Sequence, residues 1–95
     1  MAKKKEVIDE NLVRLKQDIQ TDKVTLGGER AIKDLKRGVL VRVYLANNCS
    51  EEIEADIKAY AQLSDVEVVP LQYPNDELGT LCKKPFSVSV VSVKK

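Results

Sequence analysis

Residues 26–33 read Leu-Gly-Gly-Glu-Arg-Ala-Ile-Lys, and the parsing of that stretch decides the fold. Upstream, Lys23-Val24-Thr25-Leu26 alternates polar and apolar side chains, the two-residue period of a short strand. Downstream, Ala31, Ile32 and Leu35 recur at helical spacing over Glu29–Arg37, with Lys33, Lys36 and Arg37 expected in water. Gly38 is placed to end that helix. Gly27-Gly28 is therefore a strand-to-helix junction. Two glycines permit positive φ and put no Cβ in the way of an approaching molecule. A helix starting there points unpaired N–H groups and the positive end of its dipole outward, which favours a phosphate. Arg30 and Lys33 add mobile positive charge; Glu29 argues the other way, because a carboxylate also suits a helix N-terminus. Alone, such a junction is an ordinary turn, and the rest of the chain has to give it meaning.

On either side the alternation of strand and helix continues. Ile8, Leu12, Leu15 and Ile19 predict an amphipathic helix over Glu6–Gln20, broken at Thr21-Asp22. Val39–Ala46 is apolar almost throughout, as in a central strand covered on both faces. Arg42 interrupts it and is expected to carry its head out at the end of the sheet. After the polar corner Asn47-Asn48-Cys49, Ser50–Leu63 predicts a helix with Ile53, Ile57, Tyr60 and Ala61 on one face. Glu51, Glu52 and Glu54 complement the dipole at its start. Val66–Pro70 reads as a strand, Gln72–Asn75 as a turn, and Asp76–Cys82 as a short helix turning Leu78, Leu81 and Cys82 inward. Lys83–Phe86 is then a basic loop ending in an aromatic residue, and Ser87–Val93 is the last strand. This order implies an α/β layered sandwich, a small sheet with helices on both sides. It is one domain over residues 6–93, between a basic flexible tail, Met1–Lys5, and a basic end, Lys94-Lys95.

Ninety-five residues, 43% hydrophobic and 33% charged, are ordinary globular material with a modest core. No apolar run approaches the roughly 18–20 residues of a membrane span, and none follows the basic start as in a signal peptide, so the expected location is cytoplasmic. Cys49 and Cys82 form no C-x-x-C and have no histidine to join them in a zinc site; they are expected to be half-buried thiols acting as small apolar groups. The absence of histidine removes the commonest general base. The clustered carboxylates Glu51, Glu52 and Glu54 read as a solvated helix start, so no catalytic residue, metal or cofactor is expected. Net charge is only +1, but it is divided. From Lys23 to Asn48 the basic residues leave a balance of +4, whereas from Cys49 to Cys82 only Lys58 opposes the acids, at −7. A basic pole of this kind can hold a polyanion.

Three loops stand out: Leu26–Arg30, Asn47-Asn48 and Lys83–Phe86. Each joins a strand and a helix, so all three can lie at one end of the sheet. Together they offer backbone N–H groups, side-chain amides, cations and a ring. An asparagine amide reads a base edge, cations meet phosphates, and a ring stacks on an unpaired base. Each also has a plainer reading: Asn47-Asn48 as turn formers, Phe86 as a core residue opening the last strand, and Lys83-Lys84 as a wet loop.

Val24-Thr25-Leu26-Gly27, Ala46-Asn47-Asn48, Asp56-Ile57 with Tyr60-Ala61-Gln62-Leu63-Ser64, Glu77-Leu78-Gly79-Thr80 and Lys84-Pro85-Phe86-Ser87-Val88-Ser89-Val90-Val91-Ser92 carry a resemblance. In order and spacing, across roughly Glu6–Val93, the chain resembles the archaeal and eukaryotic large-subunit ribosomal protein thirty-e family. The resemblance implies a three-layer α/β/α sandwich with a small mixed sheet of about four strands. It also implies a non-catalytic, metal-free protein that binds a kink-turn, a sharply bent helix–internal-loop–helix, in ribosomal RNA. It places RNA contacts at Gly27, Gly28, Glu29, Arg30 and Lys33, at Asn47 and Asn48, and at Lys83, Lys84, Pro85 and Phe86. Neighbouring ribosomal proteins are implied partners, and neither a membrane nor a small-molecule substrate is. Three departures stand against the family pattern. Glu29 lies where many relatives have a lysine facing RNA, Lys83 replaces a usual glycine, and Arg42 sits inside the strand. Two other readings remain open. The resemblance also allows a kink-turn protein of a non-ribosomal RNA-processing particle; the residues alone also allow a regulatory α/β domain docking through its acidic helix, Ser50–Leu63.

Overall fold

The computed structural model describes residues 10–21 and 23–95. Among the described residues eight elements follow in order: α1 (Glu10–Ile19), β1 (Val24–Leu26), α2 (Gly28–Arg37), β2 (Leu40–Leu45), α3 (Glu51–Ser64), β3 (Glu67–Pro70), α4 (Asn75–Leu81) and β4 (Val90–Lys94). Ile8, the expected tail Met1–Lys5 and the expected break at Asp22 lie outside the described residues. Helix α2 ends as its glycine requires: Gly38 takes φ 70° and donates its N–H to the Leu35 carbonyl.

The strands lie in the order β1-β4-β2-β3. β4 is antiparallel to both β1 and β2, and β2 is parallel to β3, so the sheet is mixed. Register then fixes which ends coincide. Leu26 pairs with Val91, and Leu45 pairs with both Val90 and Pro70. The C-terminal ends of β1, β2 and β3 therefore share one rim with the start of β4.

Alternation along β2 splits the core in two. Tyr44 and Ala46 face a cluster with Leu15, Leu78, Cys82 and Val91, under α1 and α4. Val43 and Leu45 face Ala31, Leu35, Ile57 and Ala61, from α2 and α3. Helices cover both faces, which makes the expected three-layer α/β/α sandwich. Each fully buried Leu or Ile in these layers contributes roughly 1.5–3 kcal/mol.

Arg42 does not simply reach out at the end of the sheet. Its guanidinium donates to Asp18 at 2.7 Å and to Glu67 at 3.2 Å. Arg14 donates to the same Glu67 oxygen at 2.6 Å, and the Tyr44 hydroxyl donates to Asp18 at 2.6 Å. Arg14 and Asp18 are one helical turn apart on α1, so a single helix face meets β2 and β3 together. Burial opposes the charge on Arg42, but its hydrogen bonds to Glu67 and Asp18 hold it above its ordinary value.

The last strand also departs from expectation. Residues 87–89 are not in β4, which starts at Val90 and runs one residue beyond Val93. Val88 is buried, but its N–H goes to the Asn75 carbonyl at 3.0 Å, and the Ser89 carbonyl accepts from the Ala46 N–H at 2.8 Å. The alternation of Ser87–Ser89 thus reflects burial without ladder pairing, which begins only at Val90.

Candidate nucleic-acid interface

The first corner is built on Gly27, whose φ of 109° is a backbone few L side chains adopt. Its N–H donates to Val90 at 2.9 Å, and its carbonyl accepts from Ala31, which turns the chain from β1 into α2. At Gly28 a Cβ would come 2.8 Å from Ile53 Cγ2, so glycine lets α2 start close against α3. Glu29, Arg30 and Lys33 are exposed along the first turns. Glu29 forms no ion pair with either cation; Arg30 leans instead toward Asp34, with Nε 3.9 Å from Oδ2.

Asp34 is a residue that sequence patterning missed. It is 1% exposed and shares the inner face of α2 with Ala31 and Leu35, while Ile32 is only half-buried. Arg37 approaches it at 3.6 Å, and its Oδ2 accepts no hydrogen bond among the described residues. An acid between Lys33 and Lys36 reads as wet, and nothing in its spacing announces burial within reach of two arginine head groups.

The asparagine corner is a brace as well as a turn. Asn47 donates from its backbone to Tyr73 at 2.9 Å and from its amide to Gln72 at 3.1 Å. Asn48 Oδ1 accepts the Asn75 N–H at 2.8 Å, and its Nδ2 donates to Asn75 Oδ1 at 3.2 Å. The Asn75 N–H is one that α4 leaves without an intrahelical partner, so Asn48 satisfies it from 27 residues away. Both asparagines remain exposed.

The third corner crosses α4 at its glycine. A Cβ on Gly79 would lie 2.1 Å from the Phe86 carbonyl oxygen, so only glycine admits the crossing. Lys83 and Lys84 donate backbone N–H groups to Thr80 and Gly79, both at 2.9 Å. Lys83 has φ 61°, the left-handed region, which gives a physical reason for the glycine usual there in the family it resembles. Phe86 is 56% exposed, so it is neither a core residue nor the start of the last strand. Beside it a hollow of about 330 Å³ is lined by Asp76, Thr80, Lys84, Pro85, Phe86 and Ser87.

One segment, residues 86–90, ties the corners together. Phe86 lies against Gly79, Val88 bonds Asn75, Ser89 bonds Ala46, and Val90 bonds Gly27. The eleven residues singled out from the sequence all fall on these three corners or on the first turns of α2. Asn75 and Gly79 were not among them, although they hold the corners in place. A helix-start asparagine after Pro74 was the only available signal for the first. Cys49 is half-buried and Cys82 buried; burial pushes both thiols up, against Lys84 in the case of Cys82. No group of three or more metal-ligating side chains occurs among the described residues.

Fold and rim together describe a small α/β/α module whose exposed chemistry is that of binding. Residues 10–95 match the family described as "Ribosomal protein L7Ae/L30e/S12e/Gadd45 family", and the chain belongs to it. It is similar to proteins named "Large ribosomal subunit protein eL30". That of Methanococcus maripaludis strain C7 is 41% identical over 75 residues, 79% of this chain and 71% of the relative. That of Sulfurisphaera tokodaii is 38% identical over 79 residues, 83% of this chain and 74% of the relative. Among solved structures, a Giardia lamblia 15.5kD RNA binding protein superposes with TM-score 0.75 at 21% identity, covering 94% of this chain and 78% of that one. A protein with unknown function from Bacillus halodurans superposes with TM-score 0.77 at 18% identity, covering 88% and 83%. These two likenesses speak for the fold.

Proposed function

We propose that this protein is a non-catalytic structural constituent of the large ribosomal subunit, working in the cytoplasm on the ribosome and binding ribosomal RNA at a kink-turn. The observation that carries the reading is the convergence of three corners on residues 86–90. A sharply bent RNA presents phosphates and unpaired bases close together, and a rim with several kinds of donor meets them at once. Gly27 and Gly28 let the RNA backbone approach the start of α2, where free N–H groups, Arg30 and Lys33 face phosphate. Glu29 weakens that corner locally, and Lys83 adds a cation at the opposite one. Asn48 reads a base edge with the amide capacity its bond to Asn75 leaves over, and Asn47 holds the corner beside it. Phe86 packs on a flipped base, with Lys84 and Pro85 shaping the loop beneath it. Neighbouring ribosomal proteins complete the surroundings.

Titration against a kink-turn RNA and a straight duplex of equal length tests this. The bent RNA should bind at least about tenfold tighter, a difference of about 1.4 kcal/mol. Equal affinity would leave only unspecific cation binding.

A further inference from the structure

We propose that the groove between α1 and the end of α4 is a second RNA subsite, taking a single-stranded stretch that leaves the bend; this rests on the reading of the rim given above. Two adjoining hollows form the groove. The larger, about 440 Å³, is lined by Lys16, Ile19, Gln20, Leu81 and Lys83. The other, about 200 Å³, is lined by Ile19, Val24, Leu26, Cys82 and Lys84. Ile19 belongs to both, and the larger falls within the roughly 300–1,000 Å³ of clefts that hold small organic groups.

The floor is apolar, with Ile19, Val24, Leu26 and Leu81 half-buried over the α1–α4 core. The walls are cationic: Lys16, Lys83 and Lys84 are exposed, and none is in an ion pair among the described residues. No described acid lines either hollow. Asp18, on the same helix, is turned to Arg42 and Tyr44, and Glu77 lines a separate hollow with Tyr73 and Thr80. Apolar surface between ammonium groups suits a chain of flat bases on a phosphate backbone.

Position favours RNA over other polyanions. Lys83 and Lys84 belong both to the groove and to the Lys83–Phe86 corner, and Leu26 immediately precedes Gly27. A strand running off the rim passes directly into the groove. The left-handed Lys83 fits the same role, since strain held at an exposed lysine points to a use for its charge.

Lys16 separates this site from the rim, because it lines the larger hollow from α1 and is not part of any of the three corners. The test compares wild-type protein and Lys16→Glu on kink-turn and straight duplexes, each blunt or carrying a single-stranded oligouridine tail of about five nucleotides. The tail should tighten wild-type binding about fivefold or more and steepen the salt dependence by about one to two units. Lys16→Glu should remove that gain and bind blunt RNA as wild type does. A tail without effect, or a gain that survives Lys16→Glu, overturns the groove while the preference for bent RNA still stands. Equal binding of kinked and straight blunt duplexes overturns the rim reading, while the tail's gain remains measurable on both. Tighter binding of an oligoglutamate than of an oligouridine of equal charge would assign the groove to an acidic protein segment and also overturn it.

Discussion

The flank beneath α1 and the rim above the strand ends are both rich in charge, and they dispose of it differently. On the flank, Arg14, Asp18, Arg42, Glu67 and the Tyr44 hydroxyl close on one another within 2.6–3.2 Å. At the rim the backbone is tightly bonded, whereas Glu29, Lys33, Lys83 and Lys84 have no ion-pair partner among the described residues. A polar group whose partners come from its own chain builds architecture. A cation held on a stiff backbone with none is available to something else. The variants below break one region while sparing the other.

The largest effect should come from Gly79→Ala. The added Cβ would meet the Phe86 carbonyl oxygen at 2.1 Å, a backbone atom that no rotamer change moves away. Either α4 or residues 83–87 must shift. Urea unfolding should show a loss of more than about 3 kcal/mol. An unchanged midpoint would mean the loop yields freely and the rim is not stiff.

Asp18→Ala breaks the other region. It strips the Tyr44 hydroxyl and Arg42 of a shared acceptor and should lower stability by about 2 kcal/mol, leaving RNA affinity of the folded protein unchanged. Its pH signature is specific. Burial, then the bond to Asp18, pushes the Tyr44 hydroxyl up to about 12 from 10.0. A raised folded value means the stabilisation is complete below pH 10 and drains away as pH rises toward 12, by roughly 2–3 kcal/mol. Asp18→Ala should flatten that alkaline limb. At the acid end, hydrogen bonds from Arg14 and then Arg42 hold Glu67 below the usual 4.5. Its stabilisation is present above that value and lost below it, only slightly because the carboxylate is half-exposed.

Asn48 belongs to both regions' logic, and Asn48→Asp separates its two uses. A carboxylate keeps the acceptor for the Asn75 N–H, suits a helix N-terminus and takes a bond from the Asn75 amide once that amide turns over, so stability should hold within about 0.5 kcal/mol. The amide donor is lost, and the preference for bent over straight RNA should fall by about 1–3 kcal/mol. Unchanged preference would remove Asn48 from the site.

Element types were legible because period is a local property: α2 and β2 each fell within one or two residues of expectation. What stayed hidden was set by partners far away in sequence. Arg42 looked misplaced until α1 brought Asp18 across it, 24 residues distant. Ser87–Val90 alternates like a strand, and only the carbonyl of Asn75 shows where the Val88 N–H goes. The rim's ingredients could be read as amides, cations and a ring. That Asn48 caps α4, or that Gly79 admits residues 86 and 87, depends on contacts no spacing encodes.

The smallest effect is the most discriminating, because Lys83→Gly should move stability and binding in opposite directions. At φ 61° a lysine costs about 1 kcal/mol that glycine does not, partly offset by glycine's freer unfolded chain. The variant should therefore be equal to wild type or more stable by up to roughly 1 kcal/mol, with thermal unfolding as the measure. Removing the ammonium should meanwhile weaken RNA binding and make its logarithmic salt slope shallower by about one unit. A loss of stability would show that the side chain packs where it now looks free. An unchanged salt slope would show that this strained lysine meets no phosphate, and that the rim's cations do not all act together.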